Sequence, residues 1–165
     1  MQQNQTAVQT VGELSALRGV SVSAIKADLR DVEKRMIGKY LGIPYRHRGR
    51  AIDGLDCWGF LKLAYADLGI RLFDIEDLEY GKVWGSQGKD YFKDNYAHDW
   101  VKVNAPQTLD AILFVNSKSV ANHAGIVLSN RRFIHCCRQG VIVSRLDDVS
   151  WDKKIEGFYR LRAWS

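Results

Sequence analysis

An α+β fold is predicted for this 165-residue chain. Helix-period patterns fall in its first half, and short β-type runs broken by Asn-, Gly- and Ser-containing turns fill its last third. Hydrophobic residues make up 46% and charged residues 26%, a balance that supports one domain with a real core. The expected arrangement is N-terminal helices packed on a C-terminal antiparallel sheet of about five strands.

Residues 1–28 are expected to be an extension, partly disordered or partner-binding, ahead of a domain at 29–165. The first ten or so residues are Gln- and Thr-rich and poor in apolar side chains. A short helix is expected around Ser23–Leu29, and a second from Arg30 to Leu41, where Val32, Met36, Ile37 and Tyr40 share one face. Gly42-Ile43-Pro44 stops it. The loop Tyr45-Arg46-His47-Arg48-Gly49-Arg50 is strongly basic. Asp56 is a good N-cap, with Cys57 at the first helical position. Phe60, Leu61, Ala64, Tyr65 and Leu68 then recur at helical spacing, and Gly69 ends the helix. Residues 70–105 are irregular and aromatic-rich, and are expected to hold helical turns and shape a binding face. The expected strands are Leu109–Val115, His123–Ser129, Arg132–Cys136, Val141–Arg145 and Ile155–Arg162.

The formal net charge of +5 favours anionic partners, but no Lys/Arg run is long enough for a nucleic-acid arm, and no nucleic-acid partner is expected. Three cysteines, Cys57 and the adjacent Cys136 and Cys137, do not form a disulfide framework and fit synthesis in a reducing compartment. Met1-Gln2-Gln3-Asn4-Gln5 has neither a basic nor an apolar region of a signal peptide. No apolar run approaches the ~18 residues of a membrane span, so stable membrane insertion is not expected.

A cysteine at a helix start is a candidate nucleophile. Backbone N–H groups and the positive end of the helix dipole favour its thiolate, the reactive form. Such a nucleophile needs a base and a group that orients the base. His123 opens one apolar run and His135 lies in the next strand of the expected hairpin, and two histidines on neighbouring strands can lie within hydrogen-bond reach. His123 is the candidate base and His135 the orienting residue. A zinc site from Cys57, His123, His135 and Cys136 or Cys137 fits by residue type, but no CxxC or HxxxH pair supports it, and no metal or cofactor is expected. Cys136 and Cys137 are read as structural, one facing the core and one outward. His47 belongs to the basic loop and His98 to the surface.

Three blocks together, Asp56-Cys57-Trp58-Gly59-Phe60, Asn122-His123-Ala124-Gly125-Ile126-Val127-Leu128 and Phe133-Ile134-His135 with Gly140-Val141 beyond, resemble the NlpC/P60 cysteine peptidases over about Arg30 to Arg162. The Trp after the cysteine, the basic 44–50 loop and Trp100-Val101-x-Val103 are similar to the branch found in phage tail-tip and tail-assembly proteins. The resemblance implies a papain-like fold and hydrolysis of peptidoglycan stem peptides, usually between γ-D-glutamate and a diamino acid. It implies Cys57 as nucleophile, His123 as base and His135 as orienting residue. It places Tyr45 near the nucleophile at the oxyanion site, beside the Cys57 N–H, and lets Asp56 meet a substrate amino group. Trp58 stands where many members carry a Ser that recognises a free N-terminal L-Ala, and Thr108-Leu109-Asp110 replaces the usual Pro-Gly-Asp turn. Implied partners are stem peptides and other tail-tip proteins, with synthesis in the host cytoplasm and action from the virion in the cell envelope. The alternative is a structural tail protein that retains the fold with little activity.

Overall fold

Helix α1, Val22–Tyr40, is one continuous element where the sequence pattern divides it in two, and it runs through the expected boundary at residue 28. No proline or paired glycine interrupts these residues, so the weaker apolar period before Leu29 does not break the helix. The computed structural model describes residues 22–72, 92 and 99–165. The expected disorder of the first residues, most of the aromatic 70–105 stretch and His98 lie outside the described residues.

Met36 and Tyr40 enter the core from α1, with Val32 and Ile37 packed beside them. Glu33 is also buried within this stripe, which a hydrophobic pattern does not anticipate. Its carboxylate accepts the Ser129 N–H at 2.9 Å and pairs with the Arg132 guanidinium, fastening α1 to the turn between two strands of the sheet. A buried carboxylate is tolerated because both oxygens are satisfied. Gly42, at φ +84°, then reverses the chain.

The small hairpin β1 (Arg50–Ala51) and β2 (Gly54–Leu55) precedes α2, Cys57–Asp67. Gly59, Phe60, Leu61, Ala64 and Tyr65 are the buried face of α2, and Gly69 follows its end at φ +80°. The remaining strands are β3 (Trp100–Val103), β4 (Ala111–Val115), β5 (Ala121–Leu128), β6 (Arg132–Cys137), β7 (Gly140–Arg145) and β8 (Ile155–Leu161), with a one-turn helix α3 (Val149–Asp152) before β8. They form a six-stranded antiparallel sheet in the order β3-β8-β4-β5-β6-β7. The architecture is α+β as the sequence indicates, and β3 is the additional strand. Its four residues are too few to show a period, and pairing with β8 at Trp100↔Leu161 defines it.

β4 begins two residues later than the pattern suggests. Leu109 takes φ +77°, a conformation that glycine adopts without strain and leucine does not. It stays there because its side chain is 1% exposed and its carbonyl accepts the Tyr65 hydroxyl at 2.7 Å. The turn that departs from the family pattern therefore keeps a glycine-like backbone with a core leucine in it.

The sheet separates two apolar clusters. Ala111, Leu113, Ala124, Ile126, Leu128, Ile134 and Cys136 face α1 and α2. Ile112, Phe114, Val127 and Phe133 occupy the other face, where Leu146, Trp151, Ile155 and Phe158 cover them. Among the described residues, no helix is long and apolar enough to cross a membrane.

Candidate active site

The site forms where β5 outruns β6. Their pairing starts at Gly125↔His135, so residues 121–124 of β5 have no partner on β6. The start of α2 and the loop before it lie against this end of the sheet. Cys57, the first residue of α2, packs against the core cluster that holds Ala124, the residue next to His123. The Cys136 thiol, facing the core as expected, donates to the Leu55 carbonyl at 3.0 Å, two residues before Cys57.

The two histidines rise from the opposite sheet face, which Val127 and Phe133 share by strand alternation. His123 Nε2 and His135 Nδ1 lie 2.7 Å apart, and His135 Nε2 lies 2.9 Å from Ser144 Oγ on β7. His135 is fully buried. Trp151 of α3 stacks on His123 at 5.5 Å between ring centroids and meets His135 edge-on at 4.8 Å. Phe114 and Phe133 complete the enclosure.

The profile of the NlpC/P60 family matches residues 42–160, more than half of the chain. The chain belongs to the NlpC/P60 family. It is 28% identical over 131 residues to the Murein DD-endopeptidase MepS/Murein LD-carboxypeptidase of Escherichia coli K12, covering 75% of this chain and 60% of that protein. It is 32% identical over 114 residues to the Probable endopeptidase NlpC of the same organism, covering 68% of this chain and 65% of that one. The chain thus spans less than two thirds of the length of these relatives. Among solved structures, an NlpC/P60 family protein from Bacillus cereus superposes with a TM-score of 0.60 at 20% identity, covering 80% of this chain and 39% of that chain. A lipoprotein-like NLP/P60 protein from Staphylococcus aureus gives 0.59 at 19%, covering 85% and 46%. At these identities the likeness to solved structures speaks for the fold.

In this NlpC/P60 chain Asp56 caps α2 by accepting the Gly59 N–H at 2.7 Å. The same carboxylate takes the Arg50 guanidinium at 2.8 Å and the Arg48 N–H at 3.1 Å, and it is 5% exposed. Its oxygens are thereby engaged within the chain. Gly59 has a steric reason: a Cβ there would come within 1.9 Å of the Gly49 carbonyl. The basic loop can lie on the first turn of α2 because that side chain is absent. Expected to be solvated, this loop is partly tied down, with Arg46 paired to Asp53 at 2.7 Å and Arg50 to Asp56.

Tyr45 joins the site through backbone. It bridges to Leu55, and the Leu55 N–H bonds the Pro44 carbonyl at 3.0 Å. Burial raises the Tyr45 hydroxyl above its ordinary value, and its neighbours Cys57 and the Asp56 carboxylate add to the rise. It remains a protonated donor at neutral pH. Trp58 packs edge-on against Phe92 at 5.8 Å.

Electrostatics differ from the expected helix-start thiolate. Burial and the Asp56 carboxylate push the Cys57 thiol up, while the Ala124 and Trp58 N–H groups oppose this. Burial, then His135 and Lys154, lower His123 to about 3. Burial lowers His135 to about 4. At pH 7 the substrate-free site holds a neutral thiol and neutral imidazoles. The dipole argument considers the helix start in water; desolvation outweighs it here. Among the described residues, no three His, Cys, Asp or Glu side chains form a metal-holding group.

Sequence reasoning passed over Ser144 and Trp151. A serine in the apolar run Val141-Ile142-Val143-Ser144 was a signal for the first. Nothing local signals Trp151, whose role depends on α3 folding back over the sheet.

Proposed function

We propose that this chain is a peptidoglycan hydrolase, a cysteine endopeptidase acting on stem peptides. The observation that carries the reading is Cys57 at the α2 start, packed against the cluster that holds Ala124 beside His123, with His123 Nε2 2.7 Å from His135 Nδ1. Relatives whose names describe murein endopeptidases support the substrate class.

His123 uses Nε2 toward His135, which leaves Nδ1 as the basic nitrogen. In the reaction it takes the Cys57 proton across the end of β5 that has no partner on β6, as the sulfur attacks the scissile carbonyl and the S–C bond forms. Oxyanion charge falls on the Cys57 N–H and the Tyr45 hydroxyl. The first N–H groups of a helix have no partner within it, and the ladder of α2 begins with the Phe60 N–H donating to the Asp56 carbonyl. The tetrahedral intermediate collapses, the C–N bond breaks, and His123 returns the proton to the leaving amine. Water, deprotonated by His123, then hydrolyses the thioester and restores the thiol. A neutral resting pair suits this sequence: the proton moves when substrate arrives. Asp56 holds the loop and the helix start in place, and Trp58 lines the substrate side.

The bond is assigned to γ-D-glutamyl–diamino acid as the usual target of the resembled family, and the setting to a phage tail tip on the Asp56-Cys57-Trp58-Gly59 variant. Purified chain incubated with muropeptides is expected to release fragments whose masses identify that bond, and Cys57→Ala is expected to release none. Equal release by wild type and Cys57→Ala, or none by wild type, overturns the hydrolase reading. Cleavage between two D-centres corrects the bond and keeps the class. Detection of the chain in purified virions tests the setting, and its absence there removes it.

A further inference from the structure

We infer that Ser144 is a positioning residue that selects the working tautomer of the histidine pair, an assignment that rests on the proposed hydrolase reading of this site. The hydrogen-bonded row His123–His135–Ser144 has two ways to place its protons. In one, His123 Nε2–H donates to His135 Nδ1, and His135 Nε2–H donates to Ser144 Oγ across 2.7 and 2.9 Å. This leaves a lone pair on His123 Nδ1, as a base requires. In the other, His135 Nδ1–H donates to His123 Nε2, and His123 carries its proton on Nδ1, where it cannot accept one from a thiol.

The Ser144 hydroxyl can accept from or donate to His135 Nε2 and so satisfies either arrangement; its loss separates them, because His135 is fully buried. Without the serine oxygen, the working arrangement strands an N–H donor inside the protein. The other arrangement strands only a lone pair. Buried donors without partners are rarer in folded proteins than under-satisfied acceptors, so the balance moves to the unproductive form. The same oxygen matters during attack. When His123 gains its second proton, His135 must keep Nδ1 as acceptor and Nε2 as donor, and Ser144 receives that donor. Trp151, Phe114 and Phe133 enclose the rings.

The test combines imidazole nitrogen NMR with kinetics on the full chain. In wild type, long-range proton–nitrogen correlations are expected to show both His123 and His135 protonated at Nε2. In Ser144→Ala, His135 is expected to shift toward the Nδ1-protonated form. Its kcat on muropeptides is expected to fall roughly ten- to a hundredfold, as when an outer partner of a working histidine is lost, with KM little changed. Ser144→Thr, which restores the hydroxyl, is expected to recover both. A wild-type His135 protonated at Nδ1, or a Ser144→Ala chain with unchanged tautomers and unchanged kcat, overturns the assignment. The NMR arm does not need turnover. A wild type that cleaves nothing but shows the expected tautomers, lost in Ser144→Ala, supports this assignment while removing the hydrolase reading.

Discussion

Lowering the pH from 7 to 5 is expected to weaken folding through the buried histidine pair, and the size follows from their burial. An ordinary histidine titrates at 6.5, whereas His123 is held to about 3 and His135 to about 4. Between these values the unfolded chain binds protons that the folded chain refuses, so stability is full above pH 6.5 and falls as the pH drops. At pH 5 folded His123 is still almost entirely neutral, so a one-unit change in its value hardly matters, while a one-unit rise in His135 would lower its share by about 0.4 kcal/mol. Linkage gives about 1.8 kcal/mol for each group between pH 7 and 5. The pair therefore amounts to roughly 3–4 kcal/mol, toward the lower figure because His123 is only half-buried. A domain of this kind has about 5–15 kcal/mol in total, so the change is easily measured. The assay is urea unfolding at both pH values for wild type and His135→Gln. Wild type is expected to lose the full amount, and the variant about half of it. Equal stability at pH 7 and 5 in wild type, or imidazole titrations near 6.5 by NMR, refutes the reasoning.

Iodoacetamide labelling of Cys57 is expected to stay slow through pH 8 and to accelerate only at higher pH, since burial raises the thiol; rapid pH-independent labelling near pH 6 points instead to a resting thiolate. Asp56→Ala removes the α2 cap and leaves the partly buried Arg50 without its carboxylate partner, and is expected to cost about 3 kcal/mol in denaturant unfolding. A loss under 1 kcal/mol means that the Asp56 network is not stabilising. Gly140→Ala meets both a φ of +98° and the Ile43 carbonyl 2.6 Å from the new Cβ. It is expected to destabilise by about 2 kcal/mol or more and to lower kcat by displacing the Tyr45 loop; an unchanged melting temperature argues against that close approach.

The α2 helix was readable in the sequence because all its signals are local. Asp56 caps it, Phe60, Leu61, Ala64 and Tyr65 repeat at its period, and Gly69 ends it. The histidine pair was readable because one tight turn joins β5 to β6, which limits how far apart the strands can place them. By contrast β3 was missed, since its pairing with β8 brings together Trp100 and Leu161, and no short window holds both. The buried Glu33 was unreadable for the same reason, as its partners Ser129 and Arg132 lie in another part of the chain.

What the sequence determined by itself was the α+β order, the helix-start cysteine and the two histidines, because periodicity, capping and strand alternation act over a few residues. The tertiary structure alone decided the protonation state of the site and the identities of Ser144 and Trp151. Desolvation and hydrogen bonding depend on which side chains packing gathers around a group. Here strand register brings Ser144 to His135, and the fold-back of α3 lays Trp151 over both imidazoles.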